Sequence, residues 1–437
     1  MAPQPTRGRR TGGTGIWLAT APRMTEAIAA YAAWTCPFCS LLCDGYGLSD
    51  ATSLSLEGSD CPRARAALDL HRDRSPDATP RIDGTPASLA DAIVAAAQRM
   101  DRWRQPLFGG LGVDIHGARA LYRLAVRTRA ICDAADGAAL MHGLRALQDR
   151  GQYQTTLGEI ASRADLLVCV GTPAVEHYPE FFRRCGLGAA GSPCTGLVFL
   201  GVPAPARLPA GVHAQALPGS GDLYADVQQL AALVARRRVP GADPALAALA
   251  GRLHEARYAV LVWEAGALPA HGALLVEALG RIVATLNGTT RAATFPLGGS
   301  DGASSVNQVF AWLSGLPLRS RAGPLGAEHE PLRFGADRLL ADGSVDGLLW
   351  ISSFDPTRTP PPVDLPRIVL GPAAMASRLQ EAGGIFVPVA TPGINAGGHL
   401  LRTDGTVVVP LSAVRDDGLP GVDVVLQGLA DALESRT

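Results

Sequence analysis

The chain has 437 residues, 47% of them apolar, and sets 39 basic side chains against 40 acidic ones. That length supports two or three packed domains with a sizeable core. The even charge excludes a nucleic acid or an anionic membrane surface as the main partner. No apolar run approaches the roughly 20 residues that span a bilayer, so a cytoplasmic location is expected.

Residues 1–23 contain twin arginines, Arg9 and Arg10, but only the short apolar stretch GIWLATA. An export signal needs a longer one, so the segment is expected to be a disordered extension, with Met24 a plausible true start. Next comes CPFCSLLC, followed later by a fourth thiol, which sets Cys36, Cys39, Cys43 and Cys61 at C-x2-C-x3-C-x17-C spacing. Thiolates are soft ligands, and two at C-x2-C spacing grip one metal with a short loop closure. Four suit either zinc or a 4Fe–4S cluster. The three-residue gap leans toward a cluster, because zinc sites usually present two separated C-x2-C knuckles. The plainer alternative is a zinc or an empty site that only pins the local structure. Cys132, Cys169, Cys185 and Cys194 are scattered, which does not describe a disulfide scaffold, and Cys169 inside LLVCVG reads as a buried small hydrophobe.

Between the third and fourth thiols, LSDATSLSLEGSDC alternates as one or two short strands. ASLADAIVAAAQRM (87–100) then reads as an amphipathic helix capped by Ser88. PLFGGLGV (106–113) predicts a strand, and GARALYRLAVRTRAI (117–131) the helix after it. Further strands are predicted at 165–171, 195–201, 258–266 and 347–356, each an apolar run closing on small, acidic or Pro residues. Helices at 225–237 and 271–286 separate them, and TDGTVVVPL (403–411) carries the DG turn of a hairpin or strand entry. Strands buried on both faces and joined by helices imply an α/β fold with parallel sheets. The expected organisation is a cysteine-bearing β subdomain at 24–66, an α/β domain at 67–245, a second α/β unit at 246–411 and a C-terminal tail or helix at 412–437.

Ligands in such folds sit beyond the carboxyl ends of strands. On that ground Glu176 and His177, which follow the strand at 165–171, are candidate binding residues, although they can equally shape the surface. The loop GSGDLY (219–224) before a helix is a weak phosphate-binding signal, explained as well by ordinary turn chemistry.

Several stretches resemble the tungsten- or molybdenum-containing B-type chain of formylmethanofuran dehydrogenase: TCPFCSLLCDGYGL with CPRARAAL, MHGLRALQDRGQYQTTLGEIASRADLLVCVGT (141–172), VNQVFAWLSGLP (306–317) and AGGHLLRTDGTVVVPL (396–411). They run in the family's order from about residue 34 to 411. The resemblance implies the molybdopterin oxidoreductase fold, related to formate dehydrogenases, without its C-terminal β-barrel cap domain. It also makes His142 the match of a family histidine near the pterin pocket.

Two departures bear on the chemistry. Active members carry a metal-binding cysteine in the loop after the strand matching PLFGGLGV, where this chain reads DIHGAR with Ile115 and His116. His116 or Asp114 would have to replace the thiolate. The family's substrate-neutralising arginine is matched by Gly298 in FPLGGSDG, which removes the charge and its bidentate grip together. With these degenerate positions the chain is similar to the B-type chains of bacterial formyltransferase/hydrolase complexes. Such a complex moves a formyl group from formyl-tetrahydromethanopterin to methylofuran and hydrolyses it to formate, without a change of oxidation state. The resemblance implies a redox-inactive structural subunit, itself non-catalytic, partnered by the A, C and D chains of the complex, with molybdopterin and tungsten absent. Its alternative is an active tungsten or molybdenum subunit that interconverts formate or a formyl group with carbon dioxide. Since a vacated pocket tends to fill with side chains, bulky or rearranged residues are expected where the pterin would lie.

Overall fold

Strands rich in Val, Leu, Ile and Phe that are buried on both faces need a covering layer on each side, and two sheets of this kind build the fold. The computed structural model describes residues 34–72, 78–379 and 384–436. The extension expected at 1–23 and the alternative start at Met24 lie outside the described residues. Five parallel strands form the smaller sheet in the order Arg291–Leu297, Tyr258–Glu264, Leu166–Val170, Gly196–Leu200, Ala214–Leu217. The larger sheet has nine strands. Its parallel centre runs Ile131–Cys132, Pro106–Gly112, Gly347–Ser352, Arg367–Gly371, Gly384–Pro388, and a short antiparallel hairpin extends each edge.

The parallel α/β class read from the sequence is therefore what the chain adopts, but the sheets do not follow chain order. Strands 106–112 and 131–132 belong to the larger sheet, the strands from 166 to 297 to the smaller one, and the chain then returns to the larger sheet. Strands on both sides of the boundary expected at 245/246 thus share one sheet. Parallel neighbours are joined by crossovers rather than tight turns, so adjacency in sequence does not dictate adjacency in a sheet.

Packing follows the pleat. One face of the larger sheet, with Phe108, Leu349, Ile351, Ile368 and Val387, meets the helices Leu89–Met100, Ile115–Thr128 and Val422–Glu434. The opposite face, with Leu107, Leu348 and Val369, is covered by Phe334, Leu339 and Met375. Fully burying a side chain such as Val, Leu or Phe contributes about 1.5–3 kcal/mol, so these two layers carry much of the fold. The Ser88 cap is made as expected, its hydroxyl accepting the Asp91 amide at 3.0 Å. The hairpin read at 403–411 pairs Gly398–Leu401 with Val408–Leu411.

Candidate functional site

In a parallel sheet the crevice opens where successive strands step off in opposite directions. The smaller sheet has this switch between strands 166–170 and 258–264, and the larger one between strands 106–112 and 347–352. The first of these lies at a cavity of about 450 Å³, lined by Arg63, His177, Glu264 and Gly298 among others, with Asp136 and Arg358 reaching it from loops of the larger sheet. The crevice is open, with Tyr178, Trp263 and Leu144 on its walls. The loops beyond the strand ends contribute small residues, among them Gly266, Gly298, Gly299 and Ser300.

At the switch of the smaller sheet, Glu264 ends its strand almost fully buried. Its two oxygens are both engaged: Thr172 donates to one at 2.6 Å, and the other lies 2.6 Å from Nδ1 of His177. The carboxylate therefore orients the imidazole while the rest of that ring faces outward. Arg63 braces the loop, donating to the carbonyls of Phe38 at 2.7 Å and His177 at 2.9 Å. Across the cavity, Arg358 pairs with Asp136 at 2.9 Å and Asp301 at 3.0 Å. Burial pushes the Asp301 carboxyl up, and the Arg358 charge pulls it back. Among the candidates, His177 stands on this cavity, whereas its neighbour Glu176 is exposed and does not line it. Glu264, Thr172, Asp301 and Arg358 were not singled out from the sequence. The available signal was the acidic residue that closes the run YAVLVWE.

The loop after strand 106–112 is occupied by its own interactions. Asp114 caps the helix Ile115–Thr128, one oxygen accepting the Gly117 amide at 2.9 Å and the other the His399 amide at 3.1 Å. Ile115 is half-buried, and His116 is exposed with Nε2 3.3 Å from Nδ1 of His399. Gly298 lines the cavity and offers no side chain to it. These residues do not fit a metal–pterin centre: neither Ile115 nor His116 supplies a thiolate, and Asp114 is held by the Gly117 and His399 amides. His142 lies on the helix Gly137–Arg150, does not line the cavity, and has its protonation disfavoured by burial and by Arg145 and Arg319.

The GSGDLY loop carries its own anion. Ser220 donates its amide to the buried carboxylate of Asp226, at 3.0 and 3.2 Å to the two oxygens. Leu223 fills the space against Gly171 and Gly201, which end two neighbouring strands. Asp226→Ala is expected to destabilise the chain by about 1.5–3 kcal/mol, the net worth of a hydrogen bond to a charged group, as measured by urea denaturation.

The four N-terminal cysteines share one buried cluster with Trp34, Phe38, Leu41 and Leu54. Cys36 donates its amide to the Cys43 carbonyl at 2.9 Å, and Leu42, at φ 45°, closes the tight turn back to Cys39. Burial pushes all four thiols up, Cys39 to about 12. Cys36 is pushed up further by the charge of Cys39, Cys43 and Cys61. The donor chemistry suits a soft ion or a cluster. Among the described residues, however, no three His, Cys, Asp or Glu side chains are arranged around one ion. The module is tied down at several points: Trp34 donates to the Gly393 carbonyl at 2.7 Å, and Thr403 to the Ser40 carbonyl at 2.8 Å.

Beside this module, His71 stacks on Phe38 and sits 2.9 Å from the Phe354 carbonyl. Burial lowers its pKa, helped by Arg415. A histidine whose folded pKa is depressed disfavours the folded state once the unfolded chain starts to take up protons, near pH 6.5. Stability is therefore expected to fall as pH drops below about 6.5. Thermal melts of His71→Phe should show a flatter acid limb over the interval down to the carboxylate range.

No family model matches the chain. It is 29% identical over 363 residues to the B-type chain of the formyltransferase/hydrolase complex Fhc of Methylorubrum extorquens, covering 81% of this chain and 97% of that one. It is 24% identical to the B-type chain of the tungsten-containing formylmethanofuran dehydrogenase 2 of Methanocaldococcus jannaschii, covering 87% and 93% of the two chains. Among solved structures it is similar to a chain of the formyltransferase/hydrolase complex of Methylorubrum extorquens in complex with methylofuran. That match has a TM-score of 0.71 at 27% identity and covers 82% of this chain and 99% of the other.

Proposed function

We propose that this chain, similar over most of its length to the B-type chains of the formyltransferase/hydrolase complex and of formylmethanofuran dehydrogenase, is a structural subunit without redox chemistry of its own. It serves a cytoplasmic complex, with A, C and D chains as partners, that passes a formyl group from formyl-tetrahydromethanopterin to methylofuran and releases formate. Its fold is of the molybdopterin oxidoreductase type, kept as scaffold.

The observation that carries this reading is the loop at 114–116. The loop where the family carries its metal thiolate has Ile115 and His116 instead, and Asp114 turns its oxygens to the helix cap and to strand 398–401. Gly298 agrees with it, since it leaves the cavity without the family's arginine. In this setting Cys36, Cys39, Cys43 and Cys61 hold the N-terminal module together, with or without a zinc ion or a 4Fe–4S cluster.

The open cavity favours the second reading, an active tungsten or molybdenum enzyme. Its guanidinium groups weigh against that. Arg63 is given to two carbonyls, Arg358 to Asp136 and Asp301, and Arg402 to Asp404 at 2.6 Å. A pyrophosphate would have to compete with carboxylates and carbonyls already in contact.

Metal and pterin analysis of the purified complex separates the readings. The scaffold role predicts formyl transfer and hydrolysis by a complex that contains this chain with neither tungsten nor molybdenum. Stoichiometric tungsten or molybdenum together with pterin would overturn it. For the thiols, iron with an absorbance bleached by dithionite identifies a cluster, and stoichiometric zinc without iron identifies a structural ion.

A further inference from the structure

We propose that His116 and His399 form a two-imidazole site for a divalent ion of the zinc class, distinct from the four cysteines and independent of the formyl-handling role. The two residues are 283 positions apart, yet Nε2 of His116 lies 3.3 Å from Nδ1 of His399, with the ring centroids 5.3 Å apart. That separation is a long hydrogen bond between the two rings. It equally matches the edge of a tetrahedral zinc site. Two Zn–N bonds of about 2.0–2.1 Å at the tetrahedral angle set their nitrogens about 3.3 Å apart.

The backbones of both residues are held by one carboxylate. Asp114 caps the first turn of the helix that carries His116, through the Gly117 amide, and anchors strand 398–401 at the amide of His399 itself. Fixing both main chains from one side group leaves only the two exposed rings to turn, so that their lone pairs converge on an ion. Neutral imidazole is a good ligand for ions of this class. Asp114 turns its oxygens to the two main-chain amides, and the two remaining tetrahedral positions fall to water or to a donor from a neighbouring chain of the complex.

Titration of the full chain in its complex with Zn²⁺, and with Co²⁺ as a spectroscopic probe, tests this. The expected result is one saturable equivalent beyond any held by thiolates. Co²⁺ there should give weak visible bands without the intense near-ultraviolet absorption of cobalt–thiolate bonds. Both His116→Ala and His399→Ala should lose that equivalent, along with the zinc-dependent rise in melting temperature that selective binding to the folded state produces. Both residues are on the surface, so the variants are expected to fold. Equal zinc uptake by the unaltered chain and the two variants would overturn the proposal. So would loss in only one of them, because a bidentate grip needs both rings.

Discussion

Arg319→Ala is expected to lower the stability of the folded chain by about 3–5 kcal/mol, the cost of leaving one half of a buried ion pair alone. Arg319 donates to Asp133 at 3.1 Å, with only 9% and 2% of the two side chains exposed, and also to the Pro331 carbonyl at 2.6 Å. Asp133 in turn accepts the Ala336 amide at 2.8 Å. The pair therefore joins the end of strand 131–132 to the segment that extends the larger sheet at its edge. Burial already pushes the Asp133 carboxyl up, and Arg319 is the main influence pulling it down. Without the arginine the folded pKa rises further. A carboxyl with a raised folded pKa has its stability intact below the unfolded value near 4 and loses it as pH climbs through the folded value. The deficit of the variant, read from urea midpoints, should accordingly be largest near neutrality and shrink in acid. A second replacement, Asp133→Leu, should restore much of the loss, since the uncompensated charge is removed with it. If Arg319→Ala melts like the unaltered chain at pH 7, the pair does not carry this strand edge.

Gly302→Ala should be comparably damaging, by about 2–5 kcal/mol. The residue sits at φ +82°, where a side chain costs about 1–2 kcal/mol, and a Cβ there would lie 2.1 Å from the Val113 carbonyl oxygen. That neighbour is backbone and cannot turn aside, so crowding adds about 1–3 kcal/mol. Val113 follows strand 106–112 of the larger sheet, and Gly302 opens the helix after strand 291–297 of the smaller one. The contact is thus a place where the loops of the two sheets meet beside the cavity. Gly298→Ala is the natural comparison. No positive φ is required there, and the nearest atom to a new Cβ is the Ala265 Cβ at 3.2 Å. It should cost far less in the same denaturation experiment. Equal midpoints for the two variants would mean that the loops are free to move apart.

Local patterning in the sequence was enough for the class of fold. Strands 106–112, 166–170, 196–200, 258–264 and 347–352 all fall within the apolar runs that announce them, because a run buried on both faces has no other regular structure so short. Ser88 and the DG turn were equally legible, since a cap and a tight turn depend on residues a few positions apart. The strands Arg291–Leu297, Arg367–Gly371 and Gly384–Pro388 escaped notice. Pro296, or Gly and Pro at their borders, interrupts the pattern there, and pairing with strands already in place restores it. The grouping of the four thiols in one cluster was announced by their spacing.

What surrounds these residues could not be read that way. The pairing of His177 with Glu264 spans 87 positions, that of Arg319 with Asp133 spans 186, and that of His116 with His399 spans 283. Composition determined that the chain would bury parallel strands and carry balanced charge. Only the order in which the strands interleave decided which loops meet, which carboxylates are satisfied internally, and that an open cavity remains at the strand ends. Side chains at the ends of parallel strands are brought together by crossovers, and a crossover leaves no periodicity in the sequence from which its destination can be inferred.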